Sequence, residues 1–376
     1  MKVIHLISGG DTGGAKTHVL TLLDNLRKMN IEVELLCIME GIFTREARQM
    51  GIPITVIPQE KRWDISVHRK ILDYINASGC DLLHCHGARA NYIALFIKNR
   101  LRVPVITTLH SDYKLDFKGN PRKQMIYTPI NAFALRQFKH ILTVTQAFKD
   151  MLISRGFKPD RLHVIYNGID FNKKLEAVSP SEFMDKAGLF YDPGRKYVGI
   201  AARMYAVKGV EVFLSAAKIL APKYPDTVFL VLGDGDMMPQ CRDFVKENKL
   251  DNQVKLLGQI QGEELMNSFY GFVDINTLTS YSESFPYALL EGARYARATV
   301  ATAVGGIPEM IRDGETGFLV PSGDSEALAE KIALLLDDDD LRYKIGNNFY
   351  EDAKERFSVE SMAKTHIDIY TNIIKK

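Results

Sequence analysis

Two glutamates eight residues apart bracket a proline-led run, Glu283-Ser284-Phe285-Pro286-Tyr287-Ala288-Leu289-Leu290-Glu291. Proline suits the first turn of a helix, where its missing N–H is not needed. The amides around Ser284 and Phe285 are then free for phosphate oxygens. Glu291 falls about one and a half turns into that helix, where an unpaired buried carboxylate would be costly. Two hydrogen bonds from vicinal ribose hydroxyls would remove that cost. Glu283, in the loop ahead, can reach whatever is attached beyond the phosphates. An acid that merely stabilises a helix dipole accounts for Glu283 but not for Glu291. Upstream, Arg203 and Lys208 flank the loop Arg-Met-Tyr-Ala-Val-Lys-Gly between a strand pattern and a helix pattern. A planar guanidinium and a point-charge ammonium at a strand's carboxyl end suit a diphosphate, though surface loops are rich in both residues.

Other clusters leave alternatives open. The first loop, Ser8-Gly9-Gly10-Asp11-Thr12-Gly13-Gly14-Ala15-Lys16-Thr17, leaves a strand and enters a helix. It nearly fits a P-loop, with Ala15 where the second glycine belongs and Asp234 as a conceivable Mg²⁺ partner. It lacks the glycine spacing of a dinucleotide site, and Cys37 ends the second strand where an acid is needed. A tight turn without ligand is the plain alternative. Cys80, His84, Cys85 and His86 suggest zinc, but residues 82–85 read as a buried strand. Alternate side chains of a strand point to opposite faces, so these four cannot converge on one ion. His86 and His110 each close a strand, on the rim where open α/β sheets bind ligands, or else are ordinary loop histidines. Asp234-Gly235-Asp236 has metal-pair spacing and is more simply a strand-to-helix turn.

The elements that position these residues alternate. Residues 3–7, 33–38, 54–57, 82–85, 105–108 and 141–144 read as strands, interleaved with helical patterns at 17–28, 67–76 and 90–101. After a Gly- and Pro-marked join at 167–195 the alternation restarts, with strands at 198–202, 228–232, 254–257, 275–278 and 299–301. From residue 324 onward the pattern is helical. Strands apolar on both faces in βαβα order mean two doubly wound parallel sheets covered by helices. A chain of 376 residues has room for two such domains. Its 46% apolar and 25% charged content excludes disorder, collagen and coiled coil. No apolar run reaches the ~20 residues of a membrane helix. With no signal-peptide pattern at the start, Cys37, Cys80, Cys85 and Cys241 read as buried, reduced thiols of a cytosolic protein. Residues 1–180 carry 26 Lys and Arg against 16 Asp and Glu, and the remainder 22 against 30. The basic half would be drawn to anionic surfaces or acidic substrates.

In these residues the chain resembles glycosyltransferase family 4, retaining nucleotide-sugar enzymes of GT-B fold. The resemblance rests on Gly13-Gly14-Ala15, Tyr166-Asn167-Gly168-Ile169-Asp170, Arg203 with Lys208-Gly209, Leu257-Gly258-Gln259, the glutamates around Phe285-Pro286, and Val304-Gly305-Gly306-Ile307-Pro308-Glu309. These stand in that order along nearly the whole chain. The resemblance implies two Rossmann-like domains facing across a cleft. Residues 1–180 would bind the acceptor and residues 181–358 the donor, with a last helix at 359–376 packing back on the first domain. Arg203 and Lys208 would hold the diphosphate, assisted by Gly13, Gly14 and the amides of Ser284, Phe285 and Pro286. Ile260 would lie along the base, Glu291 on the ribose, and Glu283 and His110 on the transferred sugar. His110, Glu283, Arg203 and Lys208 would form the catalytic set, and His86 and Arg89 would serve the acceptor. Ala202 departs from the family, which has glycine before the arginine. The implied reaction moves a hexose or N-acetylhexosamine from a nucleoside diphosphate, UDP foremost, to a glycan or lipid-linked acceptor in cell-envelope polysaccharide or glycoconjugate synthesis. It would need no metal or other cofactor and no nucleic acid. Residues 114–140, mixing cations with apolar and aromatic side chains, are expected either to touch an anionic cytoplasmic membrane face or to form a solvated loop and a packed helix. The rival readings are a P-loop NTPase built on residues 10–17 and a non-catalytic nucleotide-sugar binding module.

Overall fold

Strands that are apolar on both faces must be covered on both sides, and every pairing between the strands below is parallel. The computed structural model describes residues 1–10, 13–59, 64–114, 121–260 and 262–375, without the side chains of 121–123. The chain forms two units, Met1–Gly168 with Val359–Lys376, and Ile169–Ser358.

The first unit holds β1 (Lys2–Ile7), β2 (Glu32–Cys37), β3 (Ile54–Val56), β4 (Leu82–His86), β5 (Val105–Leu109), β6 (His140–Thr143) and β7 (Leu162–Val164), in spatial order 3-2-1-4-5-6-7. The order reverses between β1 and β4, and ligands of such sheets bind outside the carboxyl ends at that point. The two-residue period of a strand sorts the core. Val3, Ile7 and Leu82 pack beneath helices Gly14–Lys28 and Val359–Ile374 with Val19, Leu23 and Tyr370. Ile4, Leu6, Leu83 and Cys85 face the other side, against Ile71 and Ile93. His5, His84 and His86 share the parity of the first set, and so lie under the chain's last helix.

The second unit holds β8 (Lys196–Ala201), β9 (Thr227–Leu232), β10 (Val254–Gly258), β11 (Ile275–Leu278), β12 (Ala298–Thr302) and β13 (Phe318–Val320), in order 10-9-8-11-12-13. Its reversal lies between β8 and β11. Phe213, Phe229 and Val300 anchor one face, and Phe183, Tyr197 and Phe269 the other. At about 1.5–3 kcal/mol for each large apolar side chain removed from water, each face is a substantial core.

The expected boundary at 180/181 is corrected to 168/169. Ile169 N–H donates to Phe357 O at 3.0 Å, and Ile169 bridges Ser358. Val178 N–H donates to Ser268 Oγ at 2.8 Å, and Asn267 Nδ2 to Glu176 O at 3.0 Å. The stretch read as a join also contains a helix, Pro180–Lys186, capped by Ser179 and burying Phe183 and Met184. Its glycines and prolines punctuate that helix and do not form a linker. β7 and β13, three residues each, are not among the strands read from the sequence.

Candidate active site

The loops after β8 and β11 meet at the reversal of the second sheet. Gly209 has φ 60°, and a Cβ there would lie 2.2 Å from Thr279 O. Only glycine tolerates both the dihedral and the approach. Thr279 Oγ1 donates back to Gly209 O at 2.8 Å and to Lys208 O at 3.2 Å. This clasp delivers Lys208 Nζ to Glu283 Oε1 at 2.5 Å, with the side chains 19% and 10% exposed. Ser280 Oγ donates to the same oxygen at 2.6 Å. Glu283 Oε2 makes no hydrogen bond among the described residues, and the ammonium has donors to spare. From the far side Gly305, φ 56°, presses on the same segment, its hypothetical Cβ 1.7 Å from Glu283 O.

Arg203 differs from Lys208. It is exposed, its guanidinium stands 5.6 Å from the Tyr205 ring, and it has no acid partner among the described residues. It lines an open cavity of about 640 Å³ with Gly233, Asp234, Gly235, Gln259 and Ile260, at the carboxyl ends of β8, β9 and β10. Gly233 comes so close that a Cβ would lie 1.9 Å from Ala202 O. Asp234 is a turn residue: its Oδ1 accepts Gly235 N–H at 2.8 Å and its carbonyl accepts Met204 N–H at 2.9 Å.

Phe285 buries its ring against Phe357, centroids 5.3 Å apart, so what this residue presents outward is backbone. Ser284 is half-buried, and Pro286 is the N-cap of helix Tyr287–Arg294 rather than part of its first turn. Glu291 lies on that helix beside Tyr270 and Arg294. Burial raises its carboxyl above the ordinary range, the Tyr270 hydroxyl and Arg294 pull it down, and Glu263 adds to the rise. Thus the structure joins Lys208 with Glu283 and Arg203 with Ile260, while Glu291 stands in a third grouping.

In the first unit Gly13 caps helix Gly14–Lys28 with φ 66°, and both glycines are exposed. Residues 11 and 12 of this loop lie outside the described residues. Lys16 Nζ is 2.6 Å from both oxygens of Glu46. Its ammonium is therefore committed to a neighbouring helix, and Asp234 belongs to the other sheet. The P-loop reading fails on both counts.

His86 and His110 do share a rim, but they face each other. His86 Nδ1 is 3.2 Å from His110 Nε2, and His86 Nε2 is 3.0 Å from His5 Nδ1. The expected acceptor contact by His86 is corrected: the residue is 1% exposed, on a central strand under two helices. His110, half-buried just past β5, keeps an open edge. Arg89 donates to Gln59 Oε1 at 3.2 and 2.8 Å from the first turns of helix Gly87–Ile97.

Cys85 points to the opposite face, as strand parity requires, but His84 and His86 do converge with His5, one strand over. Their candidate ligand nitrogens lie within 4.8 Å of one another. His84 is engaged at both nitrogens, by Tyr370 Oη and Thr108 Oγ1, each at 2.7 Å. His18 and His366 complete a column of six histidines with His110. Burial lowers His5 to about 3 and His110 and His366 to about 4, and holds His18, His84 and His86 well below the ordinary range. The sequence reading missed His5, His18 and His366. For His5 the signal was its parity with the apolar set of β1; the other two come from helices distant in sequence.

Two doubly wound units, the second gathering cations and carboxylates at the carboxyl ends of its strands, define an α/β protein of the GT-B class. The family model described as "Glycosyl transferases group 1" matches residues 183–352, and "Glycosyltransferase Family 4" matches residues 12–173. An uncharacterised glycosyltransferase of Methanocaldococcus jannaschii is 27% identical over 355 residues, 93% of this chain and 91% of that protein. D-inositol 3-phosphate glycosyltransferase of Corynebacterium efficiens is 25% identical over 397 residues, 96% and 91% of the two chains. Among solved structures, Anabaena HepE in complex with UDP superposes with a TM-score of 0.82 at 22% identity, covering 99% of this chain and 100% of that one. The chain belongs to glycosyltransferase family 4 and is a glycosyltransferase of the group 1 type.

Proposed function

We propose that this glycosyltransferase moves a hexose or N-acetylhexosamine, with retention, from a UDP-sugar to a glycan or lipid-linked acceptor of the cell envelope. The observation that carries the reading is Arg203, a cation without an acid partner among the described residues, beside a cavity that Ile260 also lines. A diphosphate supplies the missing charge, and Ile260 offers an apolar wall to a base. The UDP bound by the HepE structure fits the same chemistry.

Cleaving the sugar–phosphate bond leaves positive character on the sugar and negative charge on the diphosphate. Arg203, the spare donors of Lys208 and the amides opening helix Tyr287–Arg294 stabilise that leaving group. The protein's own cations meet the charge, so no metal is required. Glu283, by its uncommitted Oε2, and His110 hold hydroxyls of the transferred sugar, and Glu291 holds the ribose. The acceptor hydroxyl enters on the departing side and passes its proton to a leaving phosphate oxygen. Helix Pro121–Arg136 exposes Met125, Ile126 and Phe133, 73%, 53% and 57%, which suits peripheral contact with an anionic cytoplasmic membrane face. Residues 115–120 of that expected segment lie outside the described residues.

The test is nucleoside diphosphate release from a panel of UDP- and GDP-sugars in EDTA. Release from one donor, lost in Lys208→Ala, supports the reading; release only on adding a divalent metal removes its metal-free part. Product anomeric configuration by NMR tests retention, and a trapped glycosyl adduct on Glu283 would replace the direct route. Failure to sediment with anionic liposomes at low salt would remove the membrane contact.

A further inference from the structure

The histidine column contains a directional chain. His5 Nδ1 meets His86 Nε2 at 3.0 Å, and His86 Nδ1 meets His110 Nε2 at 3.2 Å. A neutral imidazole carries one proton on two nitrogens, so each link must be donated by one ring and accepted by the next. Two polarities are possible, and they differ at the ends. If donation runs outward from His5, then His5 Nε2 is bare, and His110 holds its proton on Nδ1. If it runs inward, His5 carries a proton on Nε2, and His110 Nδ1 is bare.

The inner end decides. His5 Nε2 is buried and has no hydrogen-bond partner among the described residues. Buried N–H groups without an acceptor are rarer in proteins than buried acceptors without a donor. Two neighbours in the same core already follow that rule. His18 Nδ1 lies 2.8 Å from Asn167 Oδ1, and His366 Nδ1 lies 2.8 Å from Met362 O. A carbonyl oxygen only accepts, so in both rings the proton is on Nδ1. Both leave a buried Nε2, without a partner among the described residues, as a bare lone pair. His5 in the same environment takes the same tautomer.

We infer that His5 and His86 fix the tautomer of His110 from within the core, so that His110 presents Nδ1–H, a hydrogen-bond donor, at the carboxyl end of β5. Against an unmade buried hydrogen bond, the outward polarity is favoured roughly tenfold or more in population. His110 Nδ1 has no partner among the described residues and is the atom left for a ligand. Burial keeps all three rings neutral at physiological pH, as a chain of this kind requires. The groups facing the chain are His18, His84, His366, Tyr370 and Thr108, and among the described residues no carboxylate is a hydrogen-bond or ring partner of theirs.

The consequence rests on the proposed contact between His110 and the transferred sugar. As an obligate donor His110 cannot accept the acceptor's proton, so it is not the general base. It reads a lone pair: a hydroxyl oxygen or an N-acetyl carbonyl on the donor sugar. A donor deoxygenated at that position loses the contact. His5 and His86 are positioning residues that act only through His110.

The experiment is ¹⁵N NMR of the full chain labelled at histidine, with His110→Gln, His86→Gln and His5→Phe assigning the signals. A protonated Nδ1 and a bare Nε2 on His5, His86 and His110 is the expected result; a protonated Nε2 on His110 overturns the proposal. So does stoichiometric metal in the purified protein that binds His5, His84 and His86. His86→Asn, whose amide can donate where Nδ1–H does, should keep the donor-sugar KM within about twofold, whereas His86→Leu should raise it about tenfold. Equal KM in both variants, each folded by circular dichroism, overturns the positioning role. A His110→Ala enzyme of unchanged KM, with the expected tautomers in the wild type, would instead refute the sugar contact and leave the chain standing.

Discussion

Replacing Gly305 by alanine isolates what seats Glu283. Gly305 has φ 56°, a conformation that costs an L-residue about 1–2 kcal/mol. An added Cβ would also lie 1.7 Å from Glu283 O, where real contacts stay beyond 3.0 Å. One backbone or the other must therefore move by about 1.3 Å, the difference of those two distances. Glu283 carries the Lys208 ion pair, and a displacement near 1 Å at a reacting site costs on the order of 100-fold in rate. Gly314 provides the control. Its φ is 75°, but an added Cβ meets nothing within 4 Å among the described residues, so Gly314→Ala suffers the dihedral strain without the collision. At roughly 2–4 °C per kcal/mol for a unit of this size, Gly314→Ala should melt about 2–8 °C lower with unchanged kcat/KM for nucleoside diphosphate release. Gly305→Ala should melt lower still and lose about 100-fold in kcat/KM. If the two variants melt alike and turn over like the wild type, the glycine contact does not seat Glu283, and the reasoning fails.

Three further outcomes follow from the same geometry. Arg203→Ala should change stability by less than about 0.5 kcal/mol, because the side chain is exposed and has no acid partner among the described residues. It should nonetheless lower kcat/KM by about 100-fold, and a loss of Tm with intact turnover would contradict its assignment to the diphosphate. Glu291 has a raised folded pKa, so it opposes folding where it is ionised. Glu291→Gln should therefore raise Tm at pH 7, the gain should shrink as pH falls through the folded pKa toward the unfolded value, and donor KM should worsen; a lower Tm at pH 7 would contradict this. Conversely, His5, His110 and His366 have folded values of about 3, 4 and 4, below the ordinary 6.5. The unfolded chain then binds more protons, so the first unit should lose stability as pH falls from about 6.5 toward 4. Calorimetry should show its transition falling faster than that of the second unit, and parallel shifts would refute the burial argument.

Much of the architecture was readable because the signal is local. Apolar runs bounded by glycine and proline located most strands, and βαβ order made the sheets parallel. The Glu283–Glu291 spacing and the Arg203–Lys208 loop pointed to a phosphate-bearing ligand before any fold was visible. The boundary was less legible, since glycines and prolines mark a capped helix at Pro180–Lys186 as readily as a linker. Only long-range bonds, such as Val178 to Ser268, assign residues 169–195 to the second unit.

The sequence by itself determined the fold class and the division into two units, and it named the candidate donor-site residues, because strand period, turn residues and short motifs act over a few positions. Tertiary structure decided which candidates are available. Lys16 is taken by Glu46 and Lys208 by Glu283, while Arg203 is left exposed. His86 is removed from the surface and joined to His5, whose strand pairs with its own, and to His110 just past the end of the next strand. Those outcomes depend on strand order and on a helix more than 270 residues distant from β4 in sequence. A hydrogen bond is made by atoms 3 Å apart in space, and spacing along the chain does not encode that distance.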